Sequence, residues 1–200
     1  MTVLLLLPLA LPAQAQESSH NSPLVQVQET VDQILQQLRT EPDSPVRKEA
    51  ISQLIRGKFN FELMAQGALG PYWRSATALE QQRFVSLFSR LLEETYLGRI
   101  QAYTNETVRY GRQEVRSNRA EVETYIVTSS VEIPISYKLL PNDREWLVYD
   151  VVIEEVSLVR NYRSSYANIL RSKGMEGLLE EMEQKLAELQ QASRPKENHA

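Results

Sequence analysis

Apolar residues fall at helical spacing from Ser22 to about Tyr103, then at alternate positions to Ile153, then at helical spacing again. Ser22-Pro23 reads as the cap and first residue of a helix with Leu24, Val27, Val31, Ile34, Leu35 and Leu38 on one stripe. Glu41-Pro42-Asp43 breaks it. Ser44-Pro45 opens a second helix carrying Val46, Ala50, Ile51, Leu54 and Ile55, which Gly57 closes. Phe61 to Leu69 predicts a short helix stopped by Gly70-Pro71. Thr77-Ala-Leu-Glu80 fits a capping box and starts the longest helix, with Phe84, Val85, Phe88, Leu91, Leu92, Tyr96, Ile100 and Tyr103 on a wide apolar face.

The switch to period two predicts four consecutive strands, at Thr107–Val115, Ala120–Ser129, Val131–Leu140 and Glu145–Ile153. Their short polar turns make them an antiparallel meander. Pro134 inside the third implies a bulge or an edge position. The fourth is apolar at nearly every position except Asp150, so both of its faces should be covered, by helices or by a ligand. After Glu154-Glu155, Ser157 caps a helix from Leu158 to Lys173. Gly174 separates it from an amphipathic helix with Leu178, Leu179, Met182, Leu186 and Leu189. Helices, a meander, then helices make an α+β domain at residues 23–190, with a linker at 16–22 and a polar tail at 191–200.

Composition removes chemistries more than it adds them. The chain has no cysteine, and its two histidines, His20 and His199, lie at opposite ends. Thiolate catalysis, disulfides and histidine or cysteine metal sites are therefore not expected. A net charge of −4 argues against a nucleic-acid partner. No phosphate loop, dinucleotide-binding glycine pattern or nucleophile elbow is present. Val3 to Leu11 is an apolar run followed by Ala13-Gln14-Ala15, a small-x-small cleavage pattern, so residues 1–15 read as a secretory signal. No basic residue precedes the run, as one normally does; a misplaced start codon would account for that. The run is about half the ~20 residues of a membrane span, so the expected product is soluble and outside the cytoplasm.

Asp150 is the carboxylate of interest, because a buried acid needs a partner. Arg163 on the following helix is the nearest candidate and Arg74 another; the expected arrangement is a structural ion pair of Asp150 and Arg163, and a general base in a cavity is the rival reading. Tyrosines and phenylalanines come from helices and strands alike, and buried tyrosines need hydroxyl partners, which suits a cavity wall.

Two blocks then resemble a known family. Phe61-Glu-Leu-Met-Ala-Gln-Gly-Ala-Leu-Gly70, Tyr72-Trp73-Arg74 and Gln81-Gln82-Arg83-Phe84, with Phe88 and Tyr96, look like the N-terminal signature of the MlaC family of periplasmic phospholipid-binding proteins. Tyr137, Trp146-x-x-Tyr149-Asp150-Val151 and Val156-Ser157-Leu158-Val159-x-Asn161-Tyr162-Arg163 resemble the second. Order and spacing agree over roughly Val46 to Leu189. The family usually has glycine before the Val-Ser pair, where Glu155 stands here, which puts the tightness of that turn in question.

The resemblance implies an NTF2-like cone, its four-stranded sheet and helices enclosing a deep apolar pocket. It implies a non-enzymatic, monomeric phospholipid shuttle in the periplasm, without cofactor or metal. The implied partners are an outer-membrane lipoprotein complex and an inner-membrane ABC transporter with an MCE-domain ring, serving outer-membrane lipid asymmetry. As apolar positions on elements flanking the sheet, Met64, Leu69, Trp73, Phe84, Phe88, Ile126, Ile135, Tyr137, Val148 and Tyr162 are the expected lipid-binding wall. Arg74 and Arg163 are the basic residues embedded beside apolar anchors in the two blocks, so the head group is expected to stay in water, with loading indifferent to head group and to salt. The alternatives are a carrier of hopanoids or another lipid, a proton-transfer isomerase of the same cone-shaped fold using Asp150, and a structural adaptor.

Overall fold

A computed structural model describes residues 22–103, 106–143 and 145–192. The leader, most of the linker, most of the polar tail and both histidines lie outside the described residues. The order of elements is α1 (Pro23–Thr40), α2 (Pro45–Arg56), α3 (Phe61–Leu69), a 3-10 turn (Gly70–Ser75), α4 (Ala78–Gln101), β1 (Thr107–Arg116), β2 (Arg119–Val127), β3 (Glu132–Asn142), β4 (Glu145–Ile153), β5 (Val156–Ser157) and α5 (Leu158–Ala192). Caps explain most helix starts. Pro23 and Pro45 each stand in a first turn, and Ser44 accepts from Arg47 N–H. Thr77 and Glu80 close a capping box on α4, which holds the Glu80 carboxyl below its ordinary range through the Thr77 N–H. Gly174, at φ 71° and ψ −169°, kinks α5 into two helical parts.

The sheet is antiparallel in the order β1-β2-β3-β4-β5, so it has five strands rather than the expected four. Glu154 and Glu155 both have positive φ, 48° and 69°, the signature of a type I′ hairpin turn. The chain therefore doubles back at once, and Val156 and Ser157 pair with Ile153 and Val152. Two residues are too few to show a period, which is why this strand is silent in the sequence. Glu155 thus occupies a left-handed position that glycine takes without steric cost, and the turn is tight despite the missing glycine. Glu155→Gly is expected to raise stability by about 1 kcal/mol, read as a higher urea midpoint at unchanged slope.

Pro134 is in a central strand rather than at an edge, and β2 and β3 pair around it without a bulge. Its carbonyl accepts from Glu154 N–H at 3.1 Å, where β4 leaves the ladder, so its missing donor falls at the margin of the sheet.

The inner face of the sheet follows from register. Val122, Thr124 and Ile126 of β2 stand opposite Tyr137, Ile135 and Ile133 of β3. On β4, Tyr137 faces Val151, but Leu139 faces Val148, so one extra residue is inserted between them. That bulge shifts the side-chain phase, bringing both Val148 and Val151 inward although they are three apart. The open edge of β4 is covered by the loop before α3: Val148 N–H donates to Lys58 O at 2.9 Å and Asn60 N–H to Val148 O at 2.8 Å.

Helices α3, α4 and α5 pack together, and their buried side chains are continuous with the core of the sheet. Gly67 allows the close approach of α3 to α5, since a Cβ there would lie 2.6 Å from Val159 Cγ1. Phe84 and Phe88 of α4 are fully buried and stacked, with ring centres 5.6 Å apart, and the rings of Tyr166 and Tyr162 meet them edge-on.

Candidate functional site

An apolar cavity of 360 Å3 lies between the inner face of the sheet and the helices, at the small end of the ~300–1,000 Å3 typical of ligand sites. Its sheet wall is Ile126, Ile133, Ile135, Tyr137, Leu139, Val148, Val151 and Ile153. Opposite stand Val27, Val31 and Ile34 of α1, and Leu92, Tyr96, Leu97 and Ile100 at the C-terminal end of α4, with Tyr103 just beyond. Phe59, Phe61 and Met64, from the loop before α3 and from α3 itself, close it further with Ile55 of α2 and Leu158 of α5.

Polar side chains hold α1 over this wall. Gln26 uses both amide atoms on the backbone of Trp146, donating to its carbonyl and accepting from its N–H. Gln113 Oε1 of β1 accepts from Ser22 Oγ at 2.9 Å and Leu24 N–H at 3.0 Å, and Tyr110 Oη donates to Asp32 Oδ1 at 2.6 Å. Burial together with this carboxylate keeps the Tyr110 hydroxyl protonated well above its ordinary range. On the cavity itself, the Tyr137 hydroxyl bonds to Thr124, and burial raises its pKa too. Tyr137 therefore stays neutral on the cavity wall.

Charge is confined to a few positions on the cavity: Arg56, Lys58, Glu93, Arg99 and Glu154. Glu93 is occupied, since Arg56 reaches both of its oxygens, at 2.7 and 2.9 Å from one guanidinium nitrogen, and Ser52 Oγ donates to it as well. Lys58 pairs with Glu145 at 3.1 Å.

Of the ten expected wall residues, the structure brings together Met64, Ile126, Ile135, Tyr137 and Val148 on the cavity. Leu69, Phe84, Phe88 and Tyr162 belong instead to the core among α3, α4 and α5, and Trp73 borders a shallow groove with Glu62, Gln81 and Val85. The reason lies in the length of α4. Its 24 residues span about 36 Å, so Phe84 and Phe88 in its N-terminal half pack on Tyr166 and Tyr162 of α5, while its C-terminal half carries the cavity residues. The stripe that carries Phe84 and Phe88 therefore continues into Leu92, Tyr96 and Ile100, which are the true wall of this helix. Both sets share one apolar stripe, and no single-helix pattern distinguishes them.

The expected Asp150–Arg163 pair is not formed. Asp150 is 6 % exposed and accepts from Ser157 Oγ at 2.7 Å and Val159 N–H at 3.2 Å, with Lys138 Nζ at 3.6 Å. It ties β4 to the start of α5, where Ser157 Oγ also accepts from Arg160 N–H as the helix cap. A carboxylate beside a helix N-terminus finds N–H donors ready-made, which removes the need for an arginine. Arg163 serves another contact: its Nε donates to Gly67 O at 2.6 Å, and its stem lies on Gly70, where a Cβ would come within 3.3 Å of it. Among the described residues no cluster of acids or histidines has the geometry of a metal site, and no helix is long and apolar enough to cross a membrane.

Known proteins resemble this chain in sequence and in fold. The chain is 22% identical over 178 residues to the intermembrane phospholipid transport system binding protein MlaC of Haemophilus influenzae, covering 83% of each sequence. Its fold is similar to that of a phospholipid-binding protein from Ralstonia solanacearum solved in complex with a phospholipid, with a TM-score of 0.79 and 24% identity, over 84% of this chain and 99% of the other. The profile of the MlaC protein family matches residues 26–184, from the α1 glutamine that clamps Trp146 to the last part of α5. Every wall of the cavity falls within that span, and the chain belongs to the MlaC family.

Proposed function

We propose that the protein is a soluble, non-enzymatic carrier that shields the acyl chains of a phospholipid in this cavity and moves it through the periplasm. The observation that carries the reading is the combination of a largely apolar wall with charge held to a few positions. Each methylene exposed to water costs ~0.8 kcal/mol, so two acyl chains with ~30 methylenes need shielding worth ~20 kcal/mol or more. An apolar cavity of 360 Å3 between sheet and helices supplies part of that shielding, and the family supports phospholipid as the cargo class.

The finer features of this reading are an NTF2-like cone at residues 23–190, a cleaved signal at 1–15, and a monomer. Its partners are an outer-membrane lipoprotein complex and an inner-membrane ABC transporter bearing an MCE-domain ring. The isomerase alternative loses its base, because both oxygens of Asp150 are engaged at the β4–α5 junction and the residue is not on the cavity. The test is transfer of fluorescent phospholipid between two vesicle populations kept apart by a protein-permeable membrane. Transfer should scale with protein concentration, and no transfer above the protein-free rate would refute the carrier.

A further inference from the structure

We infer that Arg99 is the residue that grips the phosphodiester of the bound lipid, an inference that rests on the carrier reading above. Three cations border the cavity, and two are engaged: Arg56 by Glu93 and Lys58 by Glu145. Arg99 is exposed, has no ion-pair partner among the described residues, and sits with its guanidinium carbon 5.7 Å from the centre of the Tyr96 ring. Tyr96 is itself part of the cavity wall, so one side chain joins the apolar interior to a free guanidinium.

A phospholipid with its tails against Tyr96, Leu97 and Ile100 would bring its phosphodiester out beside this group. A guanidinium fork matches two phosphate oxygens, and it does so without recognising what lies beyond the phosphate. Arg99 thus selects for a phosphodiester over an uncharged lipid while leaving the head-group alcohol in water. This revises the sequence-based expectation that loading is free of ionic contacts. A cation in the last turn of α4 also suits the helix dipole, but that role alone would affect stability and not lipid choice.

The test is competitive loading from vesicles holding equal amounts of dioleoylphosphatidylglycerol and dioleoylglycerol, with bound lipid measured by mass spectrometry. The unaltered protein should favour the phospholipid, and Arg99→Gln should reduce that preference about tenfold, the usual worth of one charge-assisted hydrogen bond. Arg99→Lys should keep part of the preference, and 1 M salt should weaken it in the unaltered protein. Inorganic phosphate should not displace the lipid; displacement would mark a free-anion site and overturn the inference. So would an unchanged preference in folded Arg99→Gln. If neither lipid loads on the unaltered protein, the carrier reading itself fails, and this inference falls with it.

Discussion

Ile126→Glu is expected to leave the protein folded and nearly empty of lipid. Ile126 is half-buried on β2, faces Ile133 across the strand pair and lies on the cavity. In an empty cavity water can reach a carboxylate there, so the fold tolerates it. Against acyl chains the same carboxylate must lose its water or its charge, at a cost of several kcal/mol. A penalty of about 3 kcal/mol lowers occupancy by roughly a hundredfold. Phe88→Leu is the contrasting variant. Its ring is fully buried between α4 and α5, away from the cavity, so it should lower stability by about 1–2 kcal/mol with lipid content unchanged. Lipid extraction with parallel thermal melts reads both, and full lipid in folded Ile126→Glu would contradict the assigned wall.

Asp150→Ala is expected to cost about 3 kcal/mol, since it strands two buried donors, Ser157 Oγ and Val159 N–H, where α5 begins. Well below its melting temperature the variant should still load lipid, because Asp150 is not on the cavity. Arg163→Ala should also destabilise, through its bond to Gly67 and its packing on Gly70. The two residues share no partner, so their effects should add to within about 0.5 kcal/mol in the double variant. A coupling of 2 kcal/mol or more would restore the direct ion pair. Lost loading in stable Asp150→Ala would place the carboxylate in the binding chemistry.

Local signals were legible wherever one period or one cap decides the structure. Thr77 and Glu80 mark the start of α4, Gly174 marks the break in α5, and the alternation of Val122, Thr124 and Ile126 marks the inward face of β2. What escaped the sequence depends on departures from a period. The bulge in β4 puts Val148 and Val151 on one side against strict alternation, and the positive φ of Glu154 and Glu155 creates β5. Neither has a residue signature: Tyr149 is an ordinary strand residue, and two glutamates do not announce a left-handed turn. The cavity was half legible for a similar reason. β-strand positions such as Ile126, Ile135 and Tyr137 lie on the cavity, and their alternation shows it, because a strand has only two faces. On α4, Phe88 and Tyr96 share a stripe yet serve the core and the cavity respectively, a distinction made by what packs against each and not by the stripe. Arg99 was missed because it lies outside both signature blocks; its signal is a basic residue three positions after a wall tyrosine.

The central claim is that the cavity holds phospholipid, and native mass spectrometry of the purified protein tests it most directly. The account predicts a species heavier than the bare chain by the mass of a phospholipid, matched by a phosphorus-containing diacyl lipid in the organic extract and lost in Ile126→Glu. A bare chain alone, or an adduct that extracts as a hopanoid or another phosphate-free lipid, would contradict it.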